Sequence, residues 1–133
     1  MGPDRVGSPG VQEAQGAIAV VARVVAFIPD LLFGSNVVGA LQAAGHDVQL
    51  VSDPGGAAGA EVLVVDLTAD AASRIERVSE VSMPGVRTLA FYAHVENEVR
   101  ERAQAAGFDM VVPRSRMARE GASLITRLAD QPS

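Results

Sequence analysis

Charged side chains follow several apolar runs of this sequence, at the points where predicted strands end. Asp30 comes after the first run, Asp66 directly ends a strongly apolar run, and Arg114 follows the last run. Carboxylate oxygens are ligands for hard cations such as Mg²⁺, and an arginine guanidinium can bind phosphate through two parallel hydrogen bonds. If the strands lie parallel, these side chains gather at one edge of the sheet, where helix N-termini also converge.

Apolar runs that alternate with helical patterns are the elements that would position these side chains. The predicted strands cover residues 22–28, 47–51, 61–66, 87–92 and 110–113, and the predicted helices cover residues 31–44, 69–81, 95–106 and 115–129. This alternation is typical of βαβ units and a parallel sheet, and right-handed crossovers leave few topologies. We predict an α/β fold, a flavodoxin-like three-layer sandwich whose five-stranded parallel sheet has the order 2-1-3-4-5.

The connection between the second and third strands is the irregular part of this scheme. Residues 53–60 read DPGGAAGA, which is turn-like and too short for a full helix. Parallel strands normally need a crossover of about a dozen residues. We therefore expect the second crossover helix to be absent or shortened to about one turn.

The composition excludes several classes of chemistry. The chain of 133 residues has no cysteine, and all 11 of its basic residues are arginine. Disulfides, thiolate nucleophiles, Schiff-base enzymes and Walker-type phosphate loops are therefore excluded. The net charge of -5 makes nucleic acid an unlikely partner, and no apolar run is long enough for a membrane span. We expect a cytoplasmic protein with a flexible leader over residues 1–16 and one domain over residues 17–133.

Several short stretches resemble, in their order and spacing, the receiver domain of bacterial two-component response regulators. They are AAGHDV at residues 43–48, VLVVD at 62–66, YAH at 92–94, and AAGFD at 105–109 followed by VVPR at 111–114. In receivers an acidic pair and the Asp that ends the third strand hold Mg²⁺, and that Asp becomes an acyl phosphate. A hydroxyl residue after the fourth strand and a Lys after the fifth bind the phosphoryl oxygens.

The resemblance places Asp66 at the phosphoacceptor position. The acidic pair falls on Ile28 and Pro29, so Asp30 is displaced from it by about one residue. Asp66 and Asp30 alone would be a poor magnesium site, so Mg²⁺ is at most a weakly held cofactor, and no other cofactor is implied. Each residue also has an ordinary structural interpretation, Asp66 as a turn former and Asp30 as a helix N-cap.

The remaining receiver positions are replaced or only partly matched. Tyr92 stands where Thr or Ser is expected, and Ala93 matches the small residue after it. Arg114 replaces the Lys, which keeps the charge but changes the geometry of phosphate binding. Ser115 stands where receivers have Pro, and we expect it to cap the last helix.

These departures favour an atypical receiver, or pseudo-receiver. Such a domain is a signalling module without enzymatic activity, independent of regular aspartyl phosphorylation. Its partner, another protein or a second copy of the chain, would bind the face that receivers form from their fourth helix, fifth strand and fifth helix. Two alternatives remain open. One is a phosphorylatable single-domain response regulator using Asp66, and the other is a small-molecule binder at the crevice beyond the strand ends.

The two histidines are predicted to be surface residues. His46 lies in the turn before the second strand, so we expect an exposed turn residue. His94 lies beside the predicted site, where a pH- or ligand-sensitive role is the alternative to an ordinary helix-start residue.

Overall fold

The computed structural model describes residues 22–93 and 96–131. Its elements are β1 Arg23–Phe27, α1 Leu31–Ala43, β2 Asp47–Val51, β3 Val62–Asp66, α2 Ala71–Ser79, β4 Arg87–Tyr92, α3 Asn97–Ala105, β5 Met110–Pro113 and α4 Arg114–Ala129. Every predicted strand and helix is present, with ends within two residues of the prediction. The predicted leader, residues 1–16, lies outside the described residues. Within the described ranges, no helix is long and apolar enough to cross a membrane.

The five strands form one parallel sheet with the order β2-β1-β3-β4-β5, which confirms the predicted flavodoxin-like topology. The central strand β3 is buried along its whole length because helices cover both faces of the sheet. In the register of the sheet, Val65 lies beside Phe27 and Asp66 lies beside Phe91. Asp66 is therefore at the carboxyl end of the central strand, as the sequence predicts.

Two apolar cores lie on the two faces of the sheet. Val62 and Val64 of β3 face α1 and α4, while Leu63 and Val65 face α2 and α3. The core on the side of α1 and α4 also contains Val37, Leu41, Phe91, Met117, Leu124, Ile125 and Leu128. The core on the side of α2 and α3 also contains Ala57, Val78, Ala90, Tyr92 and Ala103.

The second crossover contains a single turn of 3₁₀ helix, Pro54–Gly56, so the expected shortening is confirmed. Asp53 precedes this turn and caps it by accepting a hydrogen bond from the Gly55 N–H at 2.8 Å. The same carboxylate accepts two hydrogen bonds from the Arg77 guanidinium of α2, at 2.8 and 2.9 Å. We call this two-bond contact the Asp53–Arg77 fork. It attaches the short crossover to α2.

The N-termini of α1 and α4 differ in how they are capped. Asp30 is the N-cap of α1, because its Oδ1 accepts hydrogen bonds from the N–H groups of Leu32 and Phe33, both at 3.1 Å. The prediction that Ser115 caps the last helix is wrong. Helix α4 begins at Arg114 directly after β5, so Pro113 occupies the N-cap position and Ser115 already lies inside the first turn.

Candidate functional site

Asp66 has a buried carboxylate that is already bound by its own loop. The residue is only 2% exposed. Its Oδ1 accepts a hydrogen bond from the Thr68 N–H at 2.8 Å and another from the Thr68 hydroxyl. Aspartate favours this arrangement because its short side chain reaches the backbone two residues further along the chain. The turn-forming role is therefore present, at the position that the resemblance assigns to the phosphoacceptor.

Arg74 of α2 supplies a positive charge beside Asp66. Its Nη1 lies 3.6 Å from the Asp66 Oδ2 and donates a hydrogen bond to the Asp66 carbonyl oxygen at 3.0 Å. Its Nη2 lies 3.8 Å from the carboxylate of Asp70, which precedes α2 in a left-handed conformation with φ 50°. Burying a carboxylate without a compensating contact is costly, and the Arg74 guanidinium, whose side chain is only 14% exposed, supplies such a contact beside Asp66.

Arg74 is the residue beside Asp66 that the sequence analysis did not identify. Its spacing from Asp70 is one helical turn, which is the spacing of a favourable ion pair. That spacing is a usable signal for the contact with Asp70. The contact with Asp66 depends on the bend of the intervening loop, which the spacing does not reveal.

Asp30 and Arg114 form a second pair at the same edge of the sheet. The Asp30 Oδ2 lies 4.0 Å from the Arg114 Nη2, and both side chains are about half exposed. The Arg114 guanidinium also lies 4.2 Å above the centre of the Phe33 ring, a cation–π contact. Phe33 in turn packs against Phe91 of β4, with ring centres 5.2 Å apart. Arg114 therefore contacts Asp30 and Phe33, whereas Asp66 contacts Thr68 and Arg74.

The other predicted positions lie in or next to the cores. Tyr92 is buried in the core on the side of α2 and α3, and Ala93 is half-buried directly after it. His94 lies outside the described residues. Of the two positions where receivers have their acidic pair, Ile28 is fully buried and Pro29 is exposed.

The carboxylates at this edge fit a magnesium ion poorly. Among the described residues, no group of three or more His, Cys, Asp or Glu side chains is placed to hold a metal. A hard cation needs several oxygen ligands, and the Asp66 Oδ1 and the Asp30 Oδ1 are both engaged in hydrogen bonds to the protein. We therefore assign no chemical step to a metal here.

Asp53, which follows β2, is a further carboxylate close to the strand ends. The hydrogen bonds from the Arg77 side chain and then from the Gly55 N–H lower the pKa of Asp53 below its usual value. The same hydrogen bond to Asp53 raises the pKa of Arg77. Both groups therefore stay charged at neutral pH. Because the Asp53 carboxylate is bound by Arg77 and by the Gly55 N–H, we interpret Asp53 as a structural residue.

The prediction that His46 is an exposed turn residue is wrong. The residue is 4% exposed and lies at the opposite, amino-terminal edge of the sheet. Its Nδ1 accepts a hydrogen bond from the Ala22 N–H at 3.0 Å, and its Nε2 lies 2.9 Å from the Thr126 hydroxyl. Because that hydroxyl donates to the Ala122 carbonyl at 3.0 Å, the Nε2 must be the donor towards Thr126. Ala22 and Thr126 are 24 and 80 residues away from His46 in sequence, so the sequence pattern around His46 does not reveal these contacts.

Comparison with known proteins establishes the fold. No protein-family model and no curated protein sequence matches this chain. A response regulator from Thermotoga maritima is 14% identical with a TM-score of 0.68, over 84% of this chain and 100% of that chain. A CheY-like receiver domain protein from Methanospirillum hungatei JF-1 is 14% identical with a TM-score of 0.68, and the match covers 84% of this chain and 95% of that chain.

A third structural match carries a modified aspartate. It is a response regulator protein from Burkholderia pseudomallei with a phosphorylated aspartic acid, a calcium ion and citrate. It is 16% identical with a TM-score of 0.61, over 80% of this chain and 65% of that chain. At these identities the matches show that the chain has the fold of response-regulator receiver domains, and a shared fold does not by itself determine function.

Proposed function

We propose that this domain is an atypical receiver, or pseudo-receiver, which acts as a signalling and protein-interaction module in two-component-type regulation without regular aspartyl phosphorylation. The observation that carries the proposal is the state of the Asp66 carboxylate. Its Oδ1 accepts two hydrogen bonds from Thr68, and its Oδ2 faces the Arg74 guanidinium at 3.6 Å. Both oxygens of this carboxylate therefore already face groups of the protein itself.

Phosphorylation of an aspartate brings a carboxylate and a phosphoryl group together, although both are negatively charged. A bound metal ion normally offsets this repulsion, and the carboxylates of the described residues fit such an ion poorly. The cation that replaces the usual Lys is also engaged, since Arg114 contacts Asp30 and Phe33. The charges at this edge are therefore paired within the protein, which supports a constitutive structure rather than one that awaits a phosphoryl group.

The partner-binding face that we propose consists of α3, β5 and α4. These are the elements that correspond to the fourth helix, fifth strand and fifth helix of receivers. Among the strands that the structure describes, β5 is at the edge of the sheet, so within this part of the chain its outer backbone groups and the half-buried Met110 and Val111 have no neighbouring strand on one side. Exposed charges such as those of Arg102 and Arg119 line the adjacent helices. Another protein or a second copy of the chain would bind here, in the cytoplasm.

The second candidate function is that of a phosphorylatable single-domain response regulator using Asp66. One observation favours it. The distance of 3.6 Å between the Arg74 Nη1 and the Asp66 Oδ2 is longer than a hydrogen bond, so this oxygen is the less tightly held of the two. The B. pseudomallei protein has the same fold and a phosphorylated aspartate. In this chain, Arg74 would have to move for Oδ2 to react.

An amide NMR titration with Mg²⁺ and then beryllofluoride, which mimics an acyl phosphate, separates the two functions. We expect no saturable shifts in the wild-type protein at millimolar Mg²⁺. Saturable shifts around Asp66, Tyr92 and Arg114 that disappear in Asp66→Asn would overturn the pseudo-receiver proposal. The Arg74→Ala variant, which removes the neighbouring cation, identifies whether the guanidinium is what excludes the ligand.

A further inference from the structure

The Arg100 guanidinium on α3 has a donor without an acceptor inside the protein. The residue is half-buried, and its Nε atom is buried. Among the residues that the structure describes, this Nε has no hydrogen-bond partner. A buried donor of a charged group without an acceptor is costly, and native proteins contain few such groups. Arg100 is therefore a candidate to bind an acceptor from outside the chain.

Arg100 lies on the flank of α3 that is next to β5. On the other flank, Arg102 and Ala105 line the groove between α3 and α2. Successive residues of an α-helix are about 100° apart, so Arg100, two residues before Arg102, lies about 200° around the helix from it. Arg100 therefore belongs to the face of α3, β5 and α4.

Two acidic side chains on or next to these elements do not supply the missing acceptor. Glu96 lies one helical turn before Arg100 and is exposed, yet the Arg100 Nε is unpaired. Asp109, directly before β5, accepts two hydrogen bonds from Thr88, at 2.8 and 3.2 Å. The Asp109 carboxylate is therefore already bound, and the Glu96 carboxylate does not satisfy the Arg100 Nε.

The flank of α4 next to β5 adds positive charge to this face. Ala118 lines the groove between α4 and α1. Arg116, Glu120 and Arg127 lie about half a turn around the helix from Ala118, and therefore on the opposite flank. Glu120 is contacted by Arg116 at 3.5 Å and by Arg119 at 3.3 Å. Two arginines thus share this carboxylate, and Arg127 adds a further exposed positive charge.

The face as a whole has an excess of positive charge, although the protein is acidic. Arg100, Arg116 and Arg127 outnumber the two glutamates, Glu96 and Glu120, while the net charge of the whole chain is -5. A symmetric dimer through this face would bring the same positive excess from both copies together, because a two-fold interface pairs a patch with itself. Complementary charges guide association, so these observations favour an acidic partner over a second copy.

We propose that the partner of this domain presents an acidic segment, and that an Asp or Glu carboxylate of this segment binds the Arg100 guanidinium. The inference rests on the partner-binding face proposed above and specifies the chemistry of its partner. Arginine has a long side chain with many rotamers, so a rotation brings the Nε to the surface. The carboxylate then accepts hydrogen bonds from Nε and one Nη, as Asp53 does from Arg77. Binding thereby satisfies a donor that is buried and unpaired in the free protein.

NMR of the arginine Nε–Hε groups, with an oligo-glutamate peptide as the probe, tests the inference. The chain has 11 basic residues, all arginine, so these signals are few. We expect a saturable shift of the Arg100 signal with oligo-glutamate and none with oligo-serine of the same length. Arg100→Gln should weaken binding by about tenfold, as expected for the loss of a hydrogen bond between charged groups. Arg100→Lys, which keeps the charge and removes the Nε donor, should lose most of the same affinity.

Arg102→Gln is the matched control, because it removes the same charge from the opposite flank of the same helix. Its affinity should stay within about twofold of the wild type, since exposed charges at a distance are screened. Circular dichroism checks that each variant is folded.

Four results would overturn the proposal. They are no binding of oligo-glutamate to the wild type, equal losses in Arg100→Gln and Arg102→Gln, an Arg100 response to inorganic phosphate but not to the peptide, and a dimer in analytical ultracentrifugation that Arg100→Gln dissociates. The last result would mean that a second copy supplies the carboxylate. None of these results depends on Mg²⁺ or beryllofluoride, so failure of this inference is distinguishable from failure of the pseudo-receiver function.

Discussion

At the scale of single residues, His46 joins parts of the chain that are distant in sequence. Its ring lies between the start of β1 and α4, with one nitrogen accepting from the Ala22 N–H and the other directed at the Thr126 hydroxyl. Buried polar groups without a partner are costly, so both contacts matter for stability. The imidazole is suited to this place because it offers one acceptor and one donor on opposite sides of a rigid ring.

Replacing His46 by Ala should lower the free energy of unfolding by about 1–3 kcal/mol, because the buried Ala22 N–H loses its acceptor. Thr126→Val, which removes only the hydroxyl contact, should cost about 1 kcal/mol. Urea unfolding followed by circular dichroism measures both values. The exposed Gln42→Ala variant is the control, with a change within about 0.5 kcal/mol. A loss for His46→Ala no larger than that of the control would contradict this assignment.

Residue-level prediction from sequence succeeds where the partner is local. Asp30 as an N-cap follows from its position directly before a helix, and the position of Asp66 at the end of β3 follows from the apolar run before it. The partners of His46 and the approach of Arg74 to Asp66 depend on how helices pack against the finished sheet. Sequence spacing alone contains no information on those contacts.

At the scale of elements, the Asp53–Arg77 fork holds the shortened crossover in place. The 3₁₀ turn and the residue that follows it contribute only Pro54 and Ala57 as buried residues, much less apolar surface than a full helix would. Two parallel hydrogen bonds between a carboxylate and a guanidinium add geometric specificity as well as energy. The fork therefore fixes the position of a segment that has little packing of its own.

The fork should make stability depend on pH in an identifiable way. Because the hydrogen bonds to Arg77 lower the pKa of Asp53 in the folded state, the fork stabilises the protein above the unfolded carboxyl pKa of about 3.9. That stabilisation is lost as the pH falls through the lower, folded value. Asp53→Asn should therefore lower the melting temperature slightly at pH 7, and its difference from the wild type should shrink below about pH 4.

Thermal unfolding by circular dichroism between pH 2.5 and pH 7 measures this effect. Glu98→Gln is the matched control, because Glu98 forms only a single, longer contact of 3.7 Å with Arg102 on an exposed helix face. We expect a smaller change for this control, since exposed single ion pairs contribute little. An Asp53→Asn difference that stays constant across this pH range would show that the fork does not stabilise the fold through charge.

Element-level prediction is the most complete part of the sequence analysis. Apolar runs and helical periodicity place all five strands and four helices, and the short DPGGAAGA stretch predicts the reduced crossover. The start of α4 is the exception. Its N-cap falls on Pro113 because β5 passes into the helix without a connecting residue, and a serine two positions later is a misleading signal.

At the scale of the whole molecule, the two apolar cores share one sheet and should unfold together. Leu63 and Leu89 are both fully buried, but they belong to different cores, on the two faces of adjacent strands. A mutation in either core weakens the sheet on which the other core packs. Single domains of this size usually unfold in one cooperative transition, so neither half should persist alone.

The single tyrosine makes this cooperativity measurable. Tyr92 lies in the core with Leu63, so its fluorescence reports that face, whereas far-UV circular dichroism reports the helices of both faces. Leu63→Ala and Leu89→Ala should each lower the free energy of unfolding by about 2–5 kcal/mol, and exposed Leu32→Ala by less than about 0.5 kcal/mol. The two signals should keep one common midpoint in every variant. Separate midpoints in Leu89→Ala would mean that the side with α1 and α4 unfolds independently.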